Sequence, residues 1–283
     1  MLAAVATTAV CSAPVAWAQD ASPWDGALHA AARLIAGAAM NSAGMKLLQA
    51  GIEIRLDPGW KTYWRYPGDS GVPPTFDFAG SDNVKSVTVL WPAPKRFADG
   101  AGGHSIGYLG DIVLPLRIVA KDASKPSVLR IKLGYEVCGN LCVPAQADLA
   151  LTLSGKAGAG ESILLAAERR VPRRIPLGAN SAPAGALAVR SIAREADGAH
   201  ARVAVEVTAP EGMPVDLFAE GPTPDWALPL PEQTKPLPGD APGVRRFTFD
   251  LDGLPPGART AGATLTLTAV SPNDAIEVEA HLD

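Results

Sequence analysis

Hydrophobic and polar residues alternate with a period of two along most of this chain. Ile52, Ile54 and Leu56 alternate with Glu53 and Arg55. Leu129, Ile131, Leu133, Tyr135 and Val137 share one face of a longer run, and Ala147, Leu149, Leu151 and Leu153 do the same a little further on. Thr264, Thr266 and Thr268 interleave with Leu265, Leu267 and Ala269. This is the signature of half-buried strands. Further strands are predicted at 27–37, 84–90, 112–120, 187–194, 201–208, 215–219, 244–251 and 275–282. Pro115 suggests an edge or bulge position for the strand that holds it. The segments 67–74, 92–103 and 221–242 are rich in proline and glycine and read as loops. Residues 161–170 read as one short helix that Pro172 ends.

Short strands between turn signals predict an all-β protein. The expected architecture is two immunoglobulin-like β-sandwich domains in tandem, over 27–155 and 187–283, joined by a helix-containing linker over 156–186. Glycine (28) and proline (26) are abundant, but 47% of the residues are hydrophobic, enough to build cores. In the linker Arg169, Arg170, Arg173 and Arg174 cluster, as a solvated linker or, alternatively, a docking patch.

Residues 1–18 are uncharged and end in Ala16-Trp17-Ala18, which resembles a secretory signal peptide although a positive n-region is missing. Cys11 lies inside it, behind a poor lipobox. No later stretch reaches the roughly 20 apolar residues a membrane-spanning helix needs. An exported, periplasmic protein is expected. The net charge of −4 is well mixed and argues against nucleic acid as a partner.

Beyond the leader the chain has two cysteines, in Cys138-Gly139-Asn140-Leu141-Cys142. An oxidising compartment lets such a pair form a disulfide. On an extended strand their Cα atoms would lie about 13 Å apart, and a disulfide needs them within about 7 Å. The chain must turn, and Gly139-Asn140 suits a turn. Closing so short a loop contributes only about 2 kcal/mol of loop entropy. A redox role is therefore favoured, with a structural clip and a metal site as alternatives. Tyr63, Tyr66 and Tyr108 are candidate hydrogen-bond donors to a sulfur, Phe97 a candidate cover, and Asp69 and Glu136 candidate proton acceptors. Two thiolates can hold Cu(I). The histidines His29, His104, His200 and His281 are scattered, and His104 is the one candidate for a third ligand. No phosphate loop, Ser-His-Asp order or paired catalytic carboxylates emerge, and no cofactor is implied.

The run Gly134-Tyr135-Glu136-Val137-Cys138-Gly139-Asn140-Leu141-Cys142-Val143-Pro144 resembles the active-site hairpin of the amino-terminal periplasmic domain of the thiol:disulfide interchange protein DsbD. Pro58-Gly59-Trp60-Lys61-Thr62-Tyr63-Trp64-Arg65 resembles that family's early strand, and residues 105–116 the strand after its cap loop. The two-sandwich arrangement is also similar to the amino-terminal region of suppressor-of-copper-sensitivity membrane proteins. The resemblance implies thiol-disulfide oxidoreductase activity of the protein-disulfide reductase type, through Cys138 and Cys142. It implies a cap aromatic at Phe97, shielding tyrosines at Tyr63 and Tyr108, and Cys142 as the exposed, partner-linked sulfur. The implied partner is a periplasmic thioredoxin-like or disulfide isomerase-like protein. DsbD has more residues between its cysteines. Its transmembrane and thioredoxin-like domains have no counterpart here, so a separate membrane electron carrier or a soluble thiol donor is expected.

Overall fold

A computed structural model describes residues 20–42, 45–100, 102–178, 185–197, 200–235 and 241–283. The leader expected at 1–18 lies outside them. The first half holds β1 (Asp25–Ala27), β2 (Ala30–Ser42), β3 (Met45–Leu56), β4 (Lys61–Gly68), β5 (Thr75–Asp77) and β6 (Val84–Val89). It continues with β7 (Lys95–Ala98), β8 (His104–Leu109), β9 (Ile112–Ala120), β10 (Ser127–Cys138) and β11 (Cys142–Leu153). Then come α1 (Glu161–Glu168) and β12 (Arg173–Arg174). The second half holds β13 (Ala188–Asp197), β14 (His200–Thr208), β15 (Asp216–Glu220), β16 (Glu232–Gln233), β17 (Val244–Asp250), β18 (Thr264–Val270) and β19 (Ala275–His281).

These strands form two β-sandwiches. In the first, a sheet of order β1-β2-β3-β9-β6 faces one of order β11-β10-β4-β8-β7, with β5 beside β10. Ala32, Leu34, Ile52, Ile54, Leu114, Leu116 and Ile118 from one sheet meet Trp64, Ile106, Leu129, Ile131, Leu133 and Leu151 from the other in one core. The period-two pattern is the cause, because alternate side chains point to the same face and exclude water there. In the second sandwich, β12-β19-β18-β15 and β13-β14-β17-β16 enclose a core of Val203, Val205, Leu217, Phe247, Leu265, Leu267, Ile276 and Val278.

Three local readings need correction. The strand expected from residue 27 breaks at His29, whose φ of +70° lies in the left-handed region, and resumes at Ala30. The segment 92–103 is not wholly irregular, because β7 pairs with β8 from Lys95↔Gly107 to Ala98↔His104. Pro115 lies on a strand flanked by β3 and β6, not at an edge. Its carbonyl accepts Leu90 N–H just past the last residue of β6, so its missing N–H faces the place where that ladder stops.

Helix α1 packs Leu164 and Ala167 on Ile35 and Val113, on the outer face of the first sheet. Glu161 accepts Ala38 N–H, and Glu168 accepts from Gln49 and Arg117. The linker arginines are not simply solvated. Arg173 pairs with Asp274, and Arg174 with Glu277 at 2.9 Å.

The sandwiches meet through a break in β4. The residues between Tyr63 and Gly68 oppose only Ile106 of β8, so a bulge leaves the ladder there. The bulge carries Trp64, Arg65 and Tyr66. The Trp64 ring lies 5.8 Å from Phe218 of β15. Arg65 donates to both oxygens of Glu220, at 2.8 and 2.6 Å, and to Glu277 at 2.6 Å. The Tyr66 hydroxyl donates to the Leu228 carbonyl.

Candidate redox site

The cysteines terminate the two arms of one hairpin. The β10–β11 register runs from Ser127↔Leu153 to Cys138↔Cys142, leaving Gly139-Asn140-Leu141 as the turn. The Cα atoms of the pair are 4.1 Å apart and the sulfurs are bonded. Gly139 N–H donates to the Leu141 carbonyl at 3.2 Å and tightens the turn. A β-carbon on Gly139 would press on the Trp60 ring at 2.9 Å, so glycine lets the indole lie against the turn. Trp60 in turn stacks on His29, with centroids 3.8 Å apart, and the His29 ring contacts Asp57.

The two sulfurs belong to unlike residues. Cys138 is 1% exposed, whereas Cys142 is exposed. The Tyr63 hydroxyl lies 2.8 Å from the Cys138 sulfur and 3.5 Å from that of Cys142. Burial, then the carboxylates of Glu136 and Asp99, push the Tyr63 phenol up, so it keeps its proton and serves as donor. Cys138 pairs in register with Lys61 of β4, which places both side chains on the face that Tyr63 also occupies. The Lys61 ammonium sits 5.7 Å from the Phe97 ring centroid and donates to Ser105. Phe97 pairs in register with Ser105, so it lies on that same face.

A loop covers Tyr63. Gly71, with φ +105°, packs so closely that an added β-carbon would lie 2.2 Å from a Tyr63 ring carbon. Val72 N–H donates to Glu136. Asp69 accepts His104 N–H at 2.8 Å. We expect Gly71→Ala to cost about 1–3 kcal/mol, from backbone strain and the displaced ring. Urea denaturation reads that cost, and dithiothreitol should open the disulfide faster.

The structure thus brings Tyr63 and Glu136 to the cysteines, sets Phe97 against Lys61 and turns the other candidates elsewhere. The Tyr108 hydroxyl donates to Pro92 and that of Tyr66 to Leu228, so neither serves a sulfur. Burial drives the Tyr108 phenol well up. The Asp69 carboxylate is engaged by the loop backbone. His104 does not join the cysteines. Among the described residues, the ligand-type group with them is Glu136, whose carboxylate and the two sulfurs lie within 4.8 Å of one another. The side chain of His200 lies outside the described residues. Sequence reasoning passed over Lys61, Trp60 and His29. Lys61 had one signal, its place two residues before Tyr63 on the same face. The stack of His29 on Trp60 had none, because it joins segments distant in sequence.

Residues 36–154 match the family model described as thiol:disulfide interchange protein DsbD, N-terminal. That match spans most of the cysteine-bearing sandwich. The whole chain is also similar to a crystal structure of the N-terminal periplasmic domain of ScsB from Proteus mirabilis. That likeness has a TM-score of 0.70 and 22% identity, and it covers 94% of this chain and 99% of that one, so the second sandwich shares the fold as well. No curated protein matches. No described helix is long and apolar enough to cross a membrane.

Proposed function

We propose that the chain is a periplasmic thiol-disulfide exchange protein working through Cys138 and Cys142. The observation that carries this reading is the asymmetry of the bridge: an exposed residue is joined to a buried one whose sulfur receives a phenolic hydroxyl. A partner thiolate attacks the Cys142 sulfur. The bond to Cys138 breaks, and its electron pair leaves on Cys138 as a thiolate that Tyr63 stabilises by hydrogen bonding. A second partner thiol, once deprotonated, attacks the partner's own sulfur in the mixed disulfide and frees Cys142 as a thiolate. The partner dithiol becomes a disulfide, the pair here becomes two thiols, and two electrons have moved. The same steps run in reverse.

In this reading Phe97 and Tyr63 shield the sulfurs until a partner docks, and Glu136 takes up the proton released nearby. The partner is a thioredoxin-like or disulfide isomerase-like protein, and a separate membrane protein supplies electrons. A titration against glutathione tests the assignment. An exchange protein should poise at about −200 to −270 mV, whereas an inert clip would lie below about −300 mV. In the same titration Tyr63→Phe should shift the potential about 30 mV more negative, because the reduced form loses a hydrogen bond to its thiolate. An unchanged potential would remove Tyr63 from the scheme.

One observation favours a second reading. After reduction, the two thiolates offer soft ligands suited to Cu(I), with the Glu136 carboxylate within 4.8 Å of both sulfurs. That copper(I)-handling role predicts one ion per chain, lost when either cysteine becomes serine.

A further inference from the structure

The residues described at the disulfide lie in the first sandwich, yet the second sandwich grips β4, which carries Tyr63, and β7, which carries Phe97. On β4, Tyr63 faces the sulfurs, and the bulge directly after it is held by Glu220, Glu277 and Leu228. On β7, Phe97 faces Lys61, and the residue directly before it is Arg96. Arg96 reaches into the second sandwich. It donates to Asp216 Oδ1 at 2.7 Å and Oδ2 at 3.3 Å, to the Leu217 carbonyl at 3.3 Å and to the Pro231 carbonyl at 2.9 Å. Its guanidinium also lies 5.9 Å from the Phe218 ring centroid. Strand alternation makes this grip effective, because Arg96 points away from the face that Phe97 occupies.

Strand β7 needs such an anchor. It is four residues long, lies at the edge of its sheet and bonds only to β8 within it. A short edge strand with one neighbour opens locally at low cost. Four donor contacts from its second residue to another body raise that cost. The partly buried pair with Asp216, with side-chain exposures of 20% and 33%, is screened less than a surface pair.

We propose that Arg96, through Asp216 of the second sandwich, is a positioning residue for the redox site. It fixes β7 so that Phe97 stays over Lys61, the in-register neighbour of Cys138, and the second sandwich thereby sets how readily a thiol reaches the disulfide. The proposal rests on the reading of Cys138–Cys142 as an exchange site. It adds a job for the half of the chain that has no cysteine.

The test is the rate at which dithiothreitol opens the disulfide in the full chain, followed by Trp60 fluorescence, with amide hydrogen exchange across 95–98. Asp216→Asn nearly preserves shape and removes the charge. It should open about tenfold faster, with faster exchange at 95–98. Arg96→Gln should do the same, and Arg96→Lys should fall between. The control is Arg33→Gln, which breaks an ion pair with Glu53 in the opposite sheet and should leave the rate unchanged. If Arg96→Gln does not fold, Asp216→Asn decides alone. A wild-type rate in Asp216→Asn, or an equal rise in Arg33→Gln, overturns the proposal. Failure of the exchange reading would look different: the wild-type protein would not exchange with protein thiols, while the ratio of dithiothreitol rates still reported on the grip.

Discussion

Replacing Cys138 by serine should trap a covalent adduct between Cys142 and a thioredoxin-like partner, whereas replacing Cys142 should not. Turnover should be lost in both, because neither variant can close the two-electron disulfide. The difference between them follows from position. Cys142 is exposed at the start of β11, so a partner sulfur can approach it. With Cys138 gone, nothing in the chain resolves the mixed disulfide. Cys138 is buried with the Tyr63 hydroxyl at its sulfur, and is shielded from attack. Non-reducing gels and mass spectrometry of the adduct check this, and the yield from Cys138→Ser should exceed that from Cys142→Ser at least about tenfold. Equal trapping would mean that the asymmetry seen in the bridge has no part in selecting the attacked sulfur.

The second large effect is on stability. Arg65→Ala should cost about 2–4 kcal/mol and lower Tm by about 5–10 °C. Burial works against the charge on Arg65, but the hydrogen bonds and charges of Glu220 and Glu277 outweigh it and hold the guanidinium's pKa above its ordinary value. Glu277 is almost fully buried, with a side-chain exposure of 7%. Removing Arg65 leaves Glu220 without this partner and Glu277 dependent on Arg174. Breaking a buried pair from one side costs far more than the pair is worth against an apolar substitute. For contrast, Arg173→Ala removes a pair with exposures of 62% and 37%, and should change stability by no more than about 0.5 kcal/mol. Thermal denaturation followed by circular dichroism separates the two cases. Because Arg65 follows Trp64 in the bulge, its loss should also loosen the Trp64–Phe218 contact.

Much of this was legible in the chain. The strands with clean alternation, such as 129–137 and 147–153, appear where the pattern puts them, because one sheet face is buried and each side chain has only two directions to choose from. The cysteine hairpin was legible for the same reason: the two patterned runs must be antiparallel if three residues separate the cysteines. Strand β7 was not legible. Lys95-Arg96-Phe97-Ala98 has neither length nor alternation, and it is a strand because β8 offers it a ladder and the second sandwich offers Arg96 a carboxylate. Among the tyrosines, sequence alone could not separate Tyr63 from Tyr66 and Tyr108. All three carry the same phenol, and only the register of β4 and β8 decides which one meets sulfur.

The residue pattern by itself determined an all-β chain, a cysteine pair at a hairpin tip and a bridge too short to matter much for stability. These are local properties, governed by the two-residue repeat and by the small entropy of a short loop. The tertiary structure alone decided that Cys138 is buried and Cys142 exposed, that Tyr63 reaches the sulfur, and that the second sandwich holds β4 and β7. Those facts depend on contacts between residues far apart in the chain, which arise only when separate sheets pack together and trade water for one another.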